Sequence, residues 1–582
     1  MAIATHPGSP QFPAMLGSVP PSSEEAMDAA VRDVRARKDA WVQVPVRARV
    51  RLVERLMGDF DAIGARWVAA CLEAKSIPAS APAAGEEWAT GPYTVMRHLR
   101  QTKEALADIA RSGRPRIPGP VTTLANGQVA ARVFPQNMYD AILFTGLTAD
   151  VWMEPGVTAA ELPKTQAVAY HEQPPGKVAL VLGAGNVSNI GPLDVLYKLF
   201  TEDQVVVFKT NPVNAYLGPL IEEAFRALIE PGYLRVVYGG AREGAYLCHH
   251  PDIEEIHITG SDKTFDAIVF GTGPEGAARK AAGTPQLSKR VTGELGNVSP
   301  VIVVPGPWSA ADLRYQGAHI ASMLTNNAGF NCNATRVIVQ HAGWKQRDAL
   351  LRHTREVLAA APPRQAYYPG AADRHASFVA AHPEAEQIGS PGAGALPWTL
   401  VTGVDPARED DICFTTEAFC SLFAETALEA GSVAEYIDHA VAFCNDQLWG
   451  TLNATILVHP ASLKDAAVRA ALERAVANLR YGTVGINYWA GASFVLGTTT
   501  WGAFPGHALT DIQSGTGVVH NTLMFARPQK TVLRSPFRVT PTPPWFVNRG
   551  SAGRKVFRKL AKLEKSPSPL KVPSIVASAL GG

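Results

Sequence analysis

The sequence predicts an α/β protein built on a parallel, doubly wound sheet. Apolar runs of strand length stand near residues 178–182, 205–208, 234–238 and 255–259, and each is followed by a stretch with helical spacing. The first of them leads through a glycine-rich turn into a helix that opens near Ile190. Strands that alternate with helices return across the sheet face before the next strand begins, so neighbouring strands run parallel. A chain of 582 residues, 46% hydrophobic and 18% charged, can bury more than one core, so two or more domains are expected.

Taken in order, residues 1–23 are rich in proline and serine and are expected to be disordered. Leu52, Leu56, Phe60 and Ile63 then recur at helical spacing and mark the first helices of a unit covering 24–295. Within that unit, residues from about 118 to 172 are rich in Val, Phe and Gly and are read as an extra hairpin or a lid ahead of the sheet. Further alternating strands and helices make a second α/β domain from 296 to 500, and 501–545 returns toward the first unit. The tail, 546–582, carries RKVFRKLAKLEK, Arg554 to Lys565, with Val556, Phe557, Leu560 and Leu563 on one helical side and basic residues around them. Three placements are open for it: docked on its own subunit or a neighbour, laid on an anionic membrane surface, or free in solvent.

Composition narrows the function. A formal net charge of +2 gives no reason to expect a nucleic-acid partner. Among six cysteines, Cys413 and Cys420 are too far apart for a Cys-x-x-Cys metal pair and lack histidine partners, so no metal is expected. His249 and His250, adjacent on a helix, point apart and are read as surface residues. The start lacks a basic region and an apolar core, and no run approaches the roughly 18 apolar residues of a membrane span. Isolated cysteines and these absences make a reducing cytoplasm the expected location.

The chemistry centres on NNAGFNCNATR, Asn326 to Arg336, which sets Cys332 in a Gly/Asn-rich turn between a helical pattern and an apolar strand. A thiolate there can attack an electron-poor carbon, with backbone N–H groups and amide side chains stabilising the oxyanion that results. Upstream, Glu294 lies between Gly293 and Leu295-Gly296, ahead of the strand-like run Val298 to Val304, where glycines let a carboxylate approach another loop and act as a base. By itself such a group is more often half of a salt bridge. Asn186, in the turn after the 178–182 strand, offers a side-chain amide to an oxyanion, although an asparagine in a turn is more often there for backbone reasons. Gly260 and Ser261 stand between a strand and a helix, where an anion is favoured but a plain turn and N-cap is commoner.

Asn186, Lys209 after VVVF, Gly260-Ser261, Glu294-Leu295-Gly296 ahead of Ser299-Pro300, Gly329-x-x-Cys332 and Glu417-Ala418-Phe419 follow the order and intervals of the aldehyde dehydrogenase superfamily, which the chain resembles over about residues 24–521. The resemblance implies a Rossmann-type cofactor domain in 24–295, a catalytic domain in 296–500 and an oligomerisation segment within 501–545. It implies oxidation of an aldehyde to a carboxylic acid through a Cys332 thiohemiacetal and thioester. Asn186 and the Cys332 N–H would form the oxyanion hole, and Glu294 would be the general base. Relatives that pass the acyl group to coenzyme A tend to lack a carboxylate at the Glu294 position.

On the cofactor side the resemblance makes Lys209, Gly260, Ser261, Glu417 and Phe419 the binders of NAD or NADP. Pro212 replaces the glutamate with which many NAD-preferring relatives hold the ribose, which removes a repulsion from NADP. Other departures are Phe265 for a second glycine, Cys420-Ser421 for Gly-Pro, and Phe330 and Asn331 beside the nucleophile. A homodimer or homotetramer is implied. The aromatic, Gly-rich stretch Trp489 to Phe504 matches a region that lines the aldehyde tunnel, so a bulky apolar substrate fits, and short-chain, aromatic and long-chain aldehydes all stay open. Two other readings stay open as well: a CoA-acylating enzyme or acyl-CoA reductase, and a scaffold that keeps the fold without catalysis.

Overall fold

The computed structural model describes residues 8–15, 17–172 and 174–581. Its first sheet runs in the spatial order Gly515–Thr516, Arg290–Glu294, Glu255–Thr259, Val178–Leu182, Val205–Lys209, Leu234–Val237. All neighbours are parallel except the short first strand. The VALVL and VVVFK strands are buried at every residue, as expected of central strands with both faces covered. The helix Ile190–Phe200 is buried along its whole length and fills the space behind the first turn. Leu56, Phe60 and Ile63 are buried in the long helix Val46–Ala74. Leu52 is only half-buried, and Val53 takes the core position beside it.

The second sheet has eleven strands, in the order Val121–Thr123, Val129–Phe134, Thr148–Met153, Pro528–Arg534, Thr483–Ile486, Asn453–Leu457, Ser299–Val303, Thr335–His341, Leu422–Leu428, Trp398–Val404, Glu386–Ile388. Its centre is parallel and its two ends are antiparallel. The chain crosses from one sheet to the other between Glu294 and Ser299.

Residues 118–172 do not form a detached lid on the first unit. Their three strands extend the second sheet, because Val129, Ala131, Val133, Ala149, Val151 and Met153 share a buried core with Leu533 of the Pro528–Arg534 strand. The 501–545 stretch is divided: Gly515–Thr516 pairs with Gly293–Glu294 in the first sheet, while Pro528–Arg534 belongs to the second. Among the described residues no helix is long and apolar enough to cross a membrane.

The tail docks on its own chain. Helix Ala552–Lys565 buries Val556, Phe557, Leu560 and Leu563 against Tyr93, and helix Val572–Leu580 adds Ile575 to the same cluster. The dock is fixed by buried charge. Glu564 accepts from Arg97 Nη1 at 2.7 Å and Arg100 Nε at 2.5 Å, and Arg97 also reaches Asp140 at 2.9 and 3.0 Å. Buried carboxylates and guanidinium groups of this kind hold one arrangement, since any other leaves a charge without a partner.

Glu564→Ala, which takes a buried carboxylate from both Arg97 and Arg100 and leaves them Asp140 and Glu104, is expected to destabilise the chain by about 3 kcal/mol. Urea unfolding, with limited proteolysis of the tail, measures it. A loss within about 0.5 kcal/mol, the size of an ordinary surface substitution, would show that the tail is held by its apolar face alone.

Candidate active site

The nucleophile turn follows helix Ala310–Thr325 and precedes strand Thr335–His341. Asn327, Ala328 and Gly329 all have positive φ, at 50°, 56° and 81°. Such strain in two non-glycine residues persists only where surrounding contacts over-determine it. At Gly329 a side chain is excluded as well, because a Cβ would lie 2.3 Å from the Cys420 carbonyl oxygen.

Asn327 is the hub of the turn. Its Nδ2 donates to the Asn186 carbonyl at 3.0 Å and to Asn331 Oδ1 at 3.0 Å, while its Oδ1 accepts from Lys75 Nζ and the Tyr367 hydroxyl, both at 3.0 Å. Lys75 is itself paired with buried Glu87 at 2.8 Å. Arg336, buried at the head of the following strand, donates to the carbonyls of Gly329, Cys420 and Leu422 and so ties the turn to the Glu417 loop. Sequence reasoning gave Asn327, Arg336, Tyr367 and Lys75 no role. The available signal was a charged residue at the start of an apolar strand, at Arg336.

Cys332 is the one cysteine of the six that is not fully buried. Burial, with the Glu294 and Glu417 carboxyls nearby, pushes its thiol well above the usual value, and its own backbone N–H acts in the opposite direction. Asn186 lines the same cavity, its Nδ2 donating to the Phe330 carbonyl at 2.9 Å. One amide hydrogen is thereby used and a second is left for a ligand.

Glu294 ends its strand 4% exposed, and its Oε2 has no partner among the described residues. Burial, then Asp194, raises its carboxyl well above the ordinary 4.5. The departures at Phe330 and Asn331 are absorbed locally. Phe330 packs on Tyr367, Tyr368 and Phe419, and Asn331 donates to Asn326 Oδ1 at 2.9 Å.

Of the residues expected on the cofactor side, Lys209, Gly260 and Ser261 stand at the C-terminal edge of the first sheet, where open α/β sheets bind ligands, and Glu417 and Phe419 come from the loop that leads into strand Leu422–Leu428 of the second. Ser261 caps helix Asp262–Val269 through a 3.1 Å bond from the Thr264 N–H, and the Gly260 N–H meets the Glu294 carbonyl at 3.0 Å. Phe265, which replaces a glycine, is fully buried beneath Gly293. Lys209 donates to the Gly239 carbonyl at 2.6 Å, and burial lowers it to about 8. Glu417, raised by burial to about 8, has no partner for its Oε1, and its Oε2 would lie 2.1 Å from a Cβ on Gly296. Phe419 packs on Tyr368 and Phe12.

The expectation of disorder across residues 1–23 meets an ordered strap here, while residues 1–7 and 16 lie outside the described residues. The Gly8 N–H donates to the Thr415 carbonyl at 2.9 Å, and the Gly8 carbonyl accepts from the Glu417 N–H at 3.1 Å. The Ser9 N–H reaches Asp262 Oδ1 at 3.0 Å, and Phe12 sits edge-on to Phe419 beneath the Arg374 guanidinium. Farther on, Gly17 packs over Pro212 and the Ser22 N–H bonds the Tyr238 carbonyl at 3.0 Å. Proline and serine composition hid this because the partners are the edges of the two sheets rather than a core.

Cys332 and Asn186 open onto a cavity of about 440 Å³ lined by Tyr488, Trp489, Phe494, Trp545 and the tail helices. A doubly wound sheet beside a second α/β domain that carries the cysteine turn is the architecture of the aldehyde dehydrogenase fold. The chain belongs to the aldehyde dehydrogenase family, whose model matches residues 74–377.

Among curated relatives, human 4-trimethylaminobutyraldehyde dehydrogenase is 35% identical over 156 residues, 26% of this chain and 27% of that protein. Aldehyde dehydrogenase LUC3 of a Fusarium species is 29% identical over 179 residues, 31% of this chain and 34% of that protein. The matched stretches therefore span about a quarter to a third of these relatives.

Solved structures share the fold across most of the chain. NADP-dependent glyceraldehyde-3-phosphate dehydrogenase from Bacillus halodurans C-125 aligns with a TM-score of 0.60 at 18% identity, covering 90% of this chain and 96% of that one. A mutant of aldehyde dehydrogenase C from Pseudomonas syringae, solved with NAD+ and octanal, aligns with a TM-score of 0.59 at 19% identity, covering 92% and 95%.

The raised Glu294 carboxyl has a stability consequence. Its folded value stands above the unfolded one, so its contribution is complete below about pH 4.5 and is lost as pH rises through the folded value. Glu294→Gln cannot ionise, so its melting temperature is expected to gain on wild type steadily from pH 5 upward. A difference that stays flat between pH 5 and 9 would mean that Glu294 is already ionised in the fold.

Proposed function

We propose that this protein oxidises an aldehyde to a carboxylic acid with NAD or NADP. The observation that carries the reading is the shared cavity of Cys332 and Asn186, with the Glu294 carboxyl, one oxygen of which is unpartnered, near enough for its charge to bear on the thiol. The Cys332 sulfur attacks the aldehyde carbon, and the oxygen that becomes negative accepts from the free Asn186 hydrogen and the Cys332 N–H. Oxidation of that thiohemiacetal leaves a thioester on Cys332. Glu294 then takes a proton from the water that attacks it, and the acid leaves while the thiol is restored. The presence of Glu294 supports water rather than coenzyme A as acceptor.

The residues present fit the dinucleotide. The capped start of helix Asp262–Val269 suits a pyrophosphate, and the unpartnered Glu417 oxygen suits a ribose hydroxyl. Bound there, NAD or NADP would accept the hydride. Pro212 presents no carboxylate against a 2′-phosphate, which supports use of both forms. The exposed strand Val121–Thr123, an open sheet edge, supports assembly as a homodimer or homotetramer.

Two variants test the reading by stopped-flow measurement of NAD(P)H. Cys332→Ala is expected to abolish both burst and steady state. Glu294→Gln is expected to keep a burst of about one equivalent per site and to slow the steady state by about 100-fold or more. Loss of burst and steady state together in Glu294→Gln would move that residue to thiol activation.

The strap from Gly8 to Phe12 lies on the same Asp262, Glu417 and Phe419 surface that the cofactor would use, so the two compete. Deleting residues 1–13, or replacing Phe12 with Ala, is expected to tighten NAD(P) binding by about tenfold, roughly 1.4 kcal/mol. Titration calorimetry reads it, and an unchanged dissociation constant in both variants rules out competition.

A further inference from the structure

Resting on the aldehyde reading above, we propose that the two C-terminal helices form the far wall of an apolar substrate tunnel and select aldehydes with an unbranched apolar chain of about eight to twelve carbons. The cavity onto which Cys332 and Asn186 open is lined as well by Trp489 and Trp545 and by Val556, Leu560, Ile575 and Val576 of the tail helices. Among the described residues lining it there is no Asp, Glu, Lys, Arg or His. Its polar side-chain groups are confined to neutral amides, hydroxyls, the Cys332 thiol and the indoles of Trp489 and Trp545, whose N–H groups are already given to the Asn333 carbonyl at 2.8 Å and the Tyr488 hydroxyl at 3.2 Å.

That lining decides among substrate classes. A phosphate or second carboxylate would enter without a cation to meet it, and a quaternary ammonium would enter without a carboxylate. Each would be desolvated uncompensated, and the tunnel's aromatic rings recover only part of that loss for a cation. An alkyl chain loses nothing of this kind and gains with every methylene buried. The volume of about 440 Å³ lies within the range of pockets that enclose molecules of this size.

The wall is chain-specific and held in two ways. Helix Ala552–Lys565 is locked through Glu564 to Arg97 and Arg100. Helix Val572–Leu580 is clasped to it by Lys559 Nζ, which donates to the Ser574 carbonyl at 2.7 Å and Ser578 Oγ at 2.8 Å, and by Arg549, which reaches the Ala579 carbonyl at 2.6 Å. Only Ile575 of that second helix is fully buried, so Val576, half-buried on the tunnel side, can be enlarged without disturbing the fold.

The test compares kcat/KM for butanal, octanal, dodecanal and 4-trimethylaminobutyraldehyde in wild type and Val576→Trp, with calorimetric binding of decan-1-ol to both. In wild type, kcat/KM is expected to rise about fourfold per methylene from butanal to octanal and then level off. Val576→Trp is expected to cut dodecanal at least tenfold, leave butanal within twofold, and weaken decan-1-ol. A flat or falling chain-length profile overturns the proposal, as does the trimethylammonium substrate exceeding octanal or an equal loss for butanal and dodecanal in the variant. If no aldehyde is turned over, the aldehyde reading fails and decan-1-ol decides alone: binding that Val576→Trp weakens sustains the tunnel, and no binding overturns it.

Discussion

The site depends on one buried cation. Arg336 lies at 3% exposure with no carboxylate bonded to it among the described residues, and its two terminal nitrogens donate to carbonyl oxygens from the cysteine turn and from the segment that follows Glu417, while its Nε has no partner there. A buried charge held by carbonyl dipoles is stable only while all of them converge. Arg336 therefore fixes the spacing between Cys332 and the loop carrying Glu417 and Phe419. It also makes a turn with three consecutive left-handed residues sustainable, because Gly329 accepts from it. Burial lowers Arg336 and nearby Glu417 opposes that, while Glu417 is itself raised by burial, so the two groups are adjusted against each other.

Around this centre the molecule uses its two chain ends in opposite ways. The strap near the N-terminus is held mainly by backbone bonds to Thr415 and Glu417 and by the Ser9 N–H to the Asp262 carboxylate, with one aromatic anchor at Phe12. Such contacts are individually worth about 1 kcal/mol and can be exchanged for a ligand. The tail is held by an apolar face and by buried ion pairs, whose loss leaves charges uncompensated. One end is thus held by exchangeable contacts, beside Asp262 and Glu417. The other is fixed and lies on the side where the cavity is apolar.

Much of this was legible in the sequence. The VALVL and VVVFK runs mark central strands because a strand covered on both faces must be apolar throughout, and Val556, Phe557, Leu560 and Leu563 mark a docking face because helical period survives any context. Cys332, Glu294 and Asn186 each have a commoner structural reading alone, and it was their shared order and spacing with the aldehyde dehydrogenase superfamily that singled them out as candidates. What local pattern could not carry was pairing over distance.

Glu564 meets Arg97 across 467 positions, and Ser9 meets Asp262 across 253. No period or motif encodes such contacts. Only the tertiary structure decided that the 118–172 strands extend the second sheet, that the tail lines the cavity of Cys332, and that a Pro/Ser-rich segment lies against Glu417. Each of these is a choice of partner, set by which surfaces the folded sheets leave to be covered. The sequence by itself determined the elements and the reactive groups, because backbone period and side-chain chemistry are local properties.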